Sequence, residues 1–275
     1  CIGARSRVQE DRQRAQVIAQ VNTPRQRQRF LNACRGKLCC GATLPLALQL
    51  LGKAQPGRFF AGPTLALDIG GRTAWAAGHA NPEELASFLN FCGCRAVILD
   101  EAECPPPVGW QKTCDHTIFG LAAGEQLPLP AQTEAQKALW DSLTFVEDPA
   151  SGPVAENLFP DRPARRDDFY SELCTKRSRG KALVWTLEQG GNIVCTVGAY
   201  ALCNGQAYMA CGQTAEALRG QRVGGRLIVQ MANALSAQGD QPVFLCSPER
   251  VHFYTQLGFH PLGTLARYES PIGKD

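Results

Sequence analysis

Apolar residues recur every four positions at Val223, Leu227, Met231 and Leu235, with Ile228 and Ala234 beside them, and Gly239 follows. That spacing predicts an amphipathic helix that begins near Arg222 and ends at the glycine. Upstream, Lys181 to Leu187, Ile193 to Ala199 and Gln206 to Gly212 read as three successive antiparallel strands, joined at Gly190-Gly191 and at Asn204-Gly205. Asn-Gly is the strongest hairpin signal in the chain. A helix carrying Phe169, Tyr170, Leu173 and Cys174 is expected before them, starting at Asp161-Arg162-Pro163 and ending near Gly180. Downstream, Pro242 to Cys246 is a strand of buried type. Ser247-Pro248-Glu249 predicts the cap of a short helix with Val251, Phe253, Tyr254 and Leu257 at its apolar positions, and a last strand runs from Phe259 to about Arg267.

The first third reads as helical to about Leu51. Leu44, Leu46, Leu48, Leu50 and Leu51 are too dense for one amphipathic face, so this stretch is either a buried helix or a strand. Pro63 to Asp68 and Thr73 to Ala77 form a hairpin about Gly70-Gly71. Asn81-Pro82-Glu83-Glu84 starts a helix with Leu85, Phe88, Leu89 and Cys92 on its apolar face, and Cys94 to Asp100 follows as a buried strand. No glycine-rich phosphate turn separates strand from helix there. Pro105 to Pro107 and the stretch from Leu127 to Pro163 read as irregular. The expected domains are therefore 1–150, an α/β domain, and 151–275, with the boundary between about Ala123 and Glu156.

Composition adds limits. Of 275 residues, 44% are hydrophobic and 19% charged, as in an ordinary globular protein. No run of about eighteen apolar residues is present, so no membrane span is expected. The formal net charge is +3, yet nine basic residues stand against two acids between Cys1 and Lys37. Such a segment suits a nucleic-acid arm, a transit peptide or a solvated helix face. The last is preferred because no aromatic residue interleaves with the arginines before Phe30. The opening Cys1 leads us to expect a natural start further upstream. Thirteen cysteines, an odd number scattered among apolar runs, read as reduced thiols, and the cytoplasm is the expected compartment. Cys92 and Cys94 lack a second paired unit of zinc-site spacing, so no metal is expected.

Two segments carry chemistry. Arg219-Gly220-Gln221-Arg222-Val223-Gly224-Gly225-Arg226 lies between a strand and a helix. The first turn of a helix offers unpaired N–H groups and a positive dipole end to a diphosphate, glycines let the main chain approach, and arginines add charge. The same segment also reads as an ordinary turn with solvated arginines. In Phe253-Tyr254-Thr255-Gln256-Leu257-Gly258-Phe259, Tyr254 has a hydroxyl of acidity comparable to a thiol, suited to protonating a departing thiolate. A core aromatic with a backbone partner is the plainer reading.

The order of these parts, from about Arg162 to Arg267, resembles the GNAT superfamily of N-acyltransferases. The resemblance implies a mixed, mostly antiparallel sheet flanked by helices, with the N-terminal α/β domain a degenerate GNAT-like lobe. It implies acetyl-CoA as co-substrate, gripped by an R/Q-x-x-G-x-G/A motif. Arg219, Arg222 and Gly224 stand at its three defining positions, Arg222 where the family has glycine, within the stretch Arg219, Gly220, Gln221, Arg222, Val223, Gly224 and Gly225. It implies that Gly212, Gln213 and Thr214 pair with the pantetheine arm, that the Gln213 N–H faces the thioester oxygen, and that Tyr254 is the acid. The implied reaction is direct attack by an amine of a small molecule or peptide, with nucleic acid not expected as a partner. The strand Gln206 to Cys211 holds no acid where many relatives place a base, and Asp167, Asp168, Glu172 and Glu188 read as surface charges. Cys246 is a possible nucleophile with nothing to activate it. A catalytically inactive coenzyme-binding or interaction module is the alternative.

Overall fold

A computed structural model describes residues 17–271. Residues 1–16, with four of the nine basic residues of the opening segment, and residues 272–275 lie outside the described residues. The backbone divides into two compact units, one running to Thr117 and resuming at Gly263, the other spanning Ile118–Leu262. The sequence placed a boundary between about Ala123 and Glu156. Phe119, Leu121, Leu127 and Leu143 are buried in one cluster with Val223 and Leu227. The last strand returns to the first unit, where Ala266 and Tyr268 are buried with Leu85 and Val97.

In the first unit β1 (Ala19–Gln20), α1 (Pro24–Cys34), α2 (Cys40–Leu51), β2 (Phe59–Ala61), β3 (Thr64–Gly70), β4 (Thr73–His79), α3 (Pro82–Phe91) and β5 (Ala96–Leu99) precede the start of β6 (Gln111–Gly120). The leucine-dense stretch is a helix, α2, with Leu44, Leu46 and Leu48 buried. β3 and β4 pair antiparallel from Thr64↔His79 to Gly70↔Thr73. β4 pairs in parallel with β5, but only from Thr73↔Ala96 to Trp75↔Ile98. Glu269 to Ala266 then pair antiparallel with Ala96 to Leu99. Asn81 caps α3 as its sequence predicts: Oδ1 accepts from the N–H groups of Glu83 and Glu84, each at 3.0 Å. The segment after β5 runs past this helix start. His79 Nδ1 lies 3.0 Å from the Glu103 carbonyl, the Val108 N–H donates to the Pro82 carbonyl at 3.3 Å, and Cys104 and Trp110 are buried in the cluster that holds Leu85 and Leu89.

The second unit contains α4 (Glu134–Asp141), β7 (Thr144–Val146), α5 (Ser151–Leu158), α6 (Pro163–Arg177), β8 (Leu183–Gln189), β9 (Asn192–Cys203), β10 (Gln206–Thr214), α7 (Val223–Ala237), β11 (Gln241–Cys246), α8 (Val251–Gln256) and the start of β12 (His260–Glu269). The stretch expected to be irregular thus holds two helices and a strand, and Thr133 with Gln136 forms a capping box at the start of α4. β7, β8, β9 and β10 are antiparallel neighbours in that order. At the hairpin between β9 and β10, Asn204 and Gly205 have φ of 55° and 72°, the pair of left-handed residues that a tight hairpin turn demands. Side chains alternate across β8: Trp185 and Leu187 join the core beneath α7, while Val184 packs with Leu173 of α6 and Val154 of α5. The unit is a mixed, largely antiparallel sheet with helices on both faces.

Candidate active site

The site is built where two neighbouring strands separate. β10 and β11 are parallel and pair over three positions only, Gln206↔Gln241 to Tyr208↔Val243, though β10 runs on to Thr214 and β11 to Cys246. Parallel neighbours that stop pairing leave main-chain donors and acceptors on the inner edge of each strand. β10 also carries a bulge. Its register against β9 passes from Ala210↔Gly198 to Gln213↔Thr196, so Cys211 and Gly212 together face one residue, and Cys211 takes φ of 53°. The residues freed from the ladder are therefore Cys211 and Gly212; Gln213, which the family resemblance put at the oxyanion, has already rejoined it.

A groove of about 1220 Å³ opens here, lined by Gly212, Gln213, Thr214, Arg219, Gly220, Arg222 to Gly225, Arg250 and Tyr254 among others. That exceeds the ~300–1,000 Å³ of pockets for drug-sized ligands and suits a longer one. Of the expected residues Gln221 alone does not line it; its N–H closes the preceding turn by donating to the Leu218 carbonyl at 3.3 Å. Arg226, grouped with the basic residues of the turn, points elsewhere and stacks over the Trp140 ring at 5.0 Å.

Helix α7 presents its first turn to this groove. Its N-cap residue, Arg222, makes no capping hydrogen bond with its side chain. The N–H groups of Val223, Gly224 and Gly225 have no carbonyl of their own helix to reach. Arg222 occupies the left-handed region, φ 61° and ψ 6°, which explains why a glycine suits this position in the motif. Its guanidinium Nη1 donates to the Ala131 carbonyl at 2.6 Å, so the side chain lies along one wall toward residues 128–131. Arg219 Nε donates to the Thr214 carbonyl at 3.3 Å, tying the turn to the end of β10. The two glycines set helix position. A Cβ on Gly224 would stand 2.4 Å from Thr214 Oγ1, and one on Gly225 would stand 3.0 Å from Leu257 Cδ2. Helix α7 thus sits directly against both the strand end and the helix that bears Tyr254.

Tyr254 projects from α8, half-buried among Phe244 (ring centroids 4.5 Å apart), Phe253 (5.0 Å) and Phe119 (5.9 Å). Burial raises its phenol above the ordinary value, and the Arg250 guanidinium beside it pulls the other way. The phenol is therefore protonated at neutral pH. Ser247, expected to cap this helix, makes no capping hydrogen bond; its hydroxyl donates to the Glu249 carboxylate instead. Cys246 is buried, its thiol donates to the Ser247 carbonyl at 3.1 Å, and burial raises it further above the thiol range. That is the opposite of an activated nucleophile.

Among the described residues the charged side chains on the groove are three arginines, 219, 222 and 250, and no described carboxylate or histidine accompanies them. Asp167 and Asp168 are exposed on α6, Glu172 pairs with Lys176 at 2.7 Å, and Glu188 is held in the β8–β9 ladder opposite Ile193. None of the four lines the groove. Sequence reasoning missed Arg250 and the Pro128 to Ala131 wall. The wall comes from a proline-rich segment that shows no periodicity, and Arg250 carried no signal apart from its place four residues before Tyr254.

No protein-family profile matches the sequence, and no curated protein matches it. Solved structures do. A GCN5-related N-acetyltransferase from Sphaerobacter thermophilus is 14% identical and superposes with a TM-score of 0.61, covering 92% of this chain and 94% of its own. A tandem GNAT protein from the clavulanic acid biosynthesis pathway is 12% identical at a TM-score of 0.60, covering 94% and 98%. A GCN5-related N-acetyltransferase from Kribbella flavida is 16% identical at 0.57, covering 84% and 96%. At these identities the likeness is one of fold. The chain has the fold of the GCN5-related N-acetyltransferases, and its match to a tandem protein over nearly its whole length is consistent with two lobes.

Proposed function

We propose that the second unit binds acetyl-CoA in the groove between β10 and β11 and transfers its acetyl group to an amine. The observation that carries this reading is the placing of an uncapped helix start, a splayed strand pair and a half-buried phenol on one groove. The amides of Val223, Gly224 and Gly225, with Arg219 and Arg222, suit a diphosphate. The free edge of β10 at Gly212 to Thr214 suits the amide-bearing pantetheine arm, which can add to the sheet as a short strand. The N–H groups of the Cys211–Gly212 bulge are the candidate donors to the thioester oxygen, in place of Gln213.

The chemistry follows from these positions. The lone pair of a neutral amine attacks the thioester carbon, a C–N bond forms, and the C–S bond breaks. The attacking nitrogen sheds its extra proton to solvent, Tyr254 gives its proton to the departing sulfur, and solvent reprotonates the phenolate. The test is calorimetric titration of the full chain with acetyl-CoA. The reading expects a micromolar Kd, about −8 kcal/mol, and at least tenfold weaker binding by Gly224→Ala, whose added methyl pushes α7 away from Thr214. Absence of binding at millimolar acetyl-CoA contradicts it.

A further inference from the structure

A thioester is attacked only by an amine that has already lost its extra proton, and among the described residues no carboxylate or imidazole lines the groove to remove it. The titratable groups nearest the sulfur end come from α8, the turn before it and β11. Tyr254 projects from α8, Arg250 from the turn before it, and Cys246 from β11. Glu249 acts on Cys246 from the same turn, but its carboxylate accepts from the Ser247 hydroxyl and does not line the groove. Arg219 and Arg222 add positive charge further along. β10 supplies Gln213 and Thr214, both neutral. An ammonium ion entering this groove meets guanidinium groups and no partner, so the cationic form is disfavoured in the place where the reaction occurs.

We propose that the acceptor is a weakly basic amine that arrives neutral, of which the α-amino group of a peptide or aminoacyl compound is the common biological form, and not an alkyl amine of lysine type. The inference rests on the acetyl-CoA reading and deepens it. Near pH 7.5 an α-amino group, with a pKa of about 7.7–8.0, is roughly one-third neutral, whereas a lysine amine near 10.4 is neutral in about one molecule per thousand. A site with its own base erases much of that difference; a site without one passes it on to the rate. After attack the nitrogen sheds its second proton to water, Tyr254 protonates the thiolate, and the products are an amide and the free thiol, with no other reactant required.

The experiment uses the full chain, acetyl-CoA, and two acceptors of similar size, alanyl-alanine and Nα-acetyl-lysine amide, with product quantified by mass spectrometry from pH 6 to 11.5. The expected result is kcat/KM at least tenfold higher for the dipeptide at pH 7.5. For each acceptor, kcat/KM should also rise in proportion to hydroxide up to that amine's own pKa, so that the two midpoints differ by more than two pH units. The Glu249→Gln variant should keep both profiles. A single midpoint shared by both acceptors, or a profile abolished in Glu249→Gln, reveals a base on the protein and overturns the proposal. Saturated binding of acetyl-CoA with no transfer to either amine at pH 9 also overturns it while leaving the coenzyme reading intact. Failure to bind acetyl-CoA removes the coenzyme reading itself.

Discussion

Tyr254 is surrounded by four phenylalanine rings, its hydroxyl lies on the groove beside Arg250, and it stays protonated through neutral pH because burial outweighs the neighbouring guanidinium. Removing only the hydroxyl leaves that packing in place. Tyr254→Phe is expected to lower kcat by tenfold or more while the Kd for acetyl-CoA changes little, and a kcat within about twofold of the parent contradicts the acid role. Arg222 is a second place where one residue decides. Its left-handed backbone costs an ordinary side chain about 1–2 kcal/mol, and a β-branched residue has the greatest difficulty adopting it. Denaturant unfolding of Arg222→Val is therefore expected to give a stability about 1–2 kcal/mol lower. Arg222→Gly should remain within about 1 kcal/mol of the parent, the relief of strain being offset by a freer unfolded chain. Equal losses in both variants point to the Ala131 hydrogen bond and not to the backbone.

The two units repeat one element order, antiparallel hairpin, helix, then a strand that pairs in parallel with the hairpin for three residues, yet their helix starts differ. In α7 the first amides are open to a groove. In α3 Asn81 takes up the amides of Glu83 and Glu84, Pro82 has no N–H, two carboxylates occupy the first turn, and the segment holding Val108 and Trp110 runs alongside. An anion finds no donors and an unfavourable charge there. Native mass spectrometry is accordingly expected to detect one acetyl-CoA per chain; two per chain contradict this account of α3. Much of this level was legible in the sequence. The Asn81-Pro82 start, the Asn204-Gly205 turn and the four-residue spacing from Val223 to Leu235 each act locally, so residue type alone announces them. The bulge at Cys211–Gly212 was not legible, because it depends on the register of β10 against β9 and no turn residue marks it. Helix α4 was hidden by flanking prolines, although its Thr133–Gln136 capping box is a readable sign.

At the scale of the whole molecule, shared cores group the parts of the chain. The sequence boundary followed proline content. The structure draws 118–150 into the second unit and the final strand into the first. The cysteines act at this scale too. Cys40, Cys94 and Cys104 are buried free thiols. Burial pushes Cys94 and Cys104 up to about 11 and Cys40 up to about 12, against about 8.5 for a thiol in an unfolded chain.

 These groups stabilise the fold fully below the unfolded value. The contribution is lost as pH rises through the folded values, because only the unfolded chain releases its thiol protons at first. The urea midpoint under reducing conditions is thus expected to fall steadily from about pH 9 upward; a midpoint that holds constant between pH 8 and 10.5 contradicts it. No described helix is long and apolar enough to cross a membrane.

The central claim is that one ligand reaches from the first amides of α7 to the phenol on α8. A crystal structure of the chain with bound coenzyme A tests this most directly. The account predicts the diphosphate within hydrogen-bonding distance of the Val223 to Gly225 amides and the sulfur within reach of the Tyr254 hydroxyl, with the pantetheine arm along Gly212 to Thr214. Coenzyme density with its diphosphate away from that helix start, or with the sulfur on the far side of the groove from Tyr254, contradicts it.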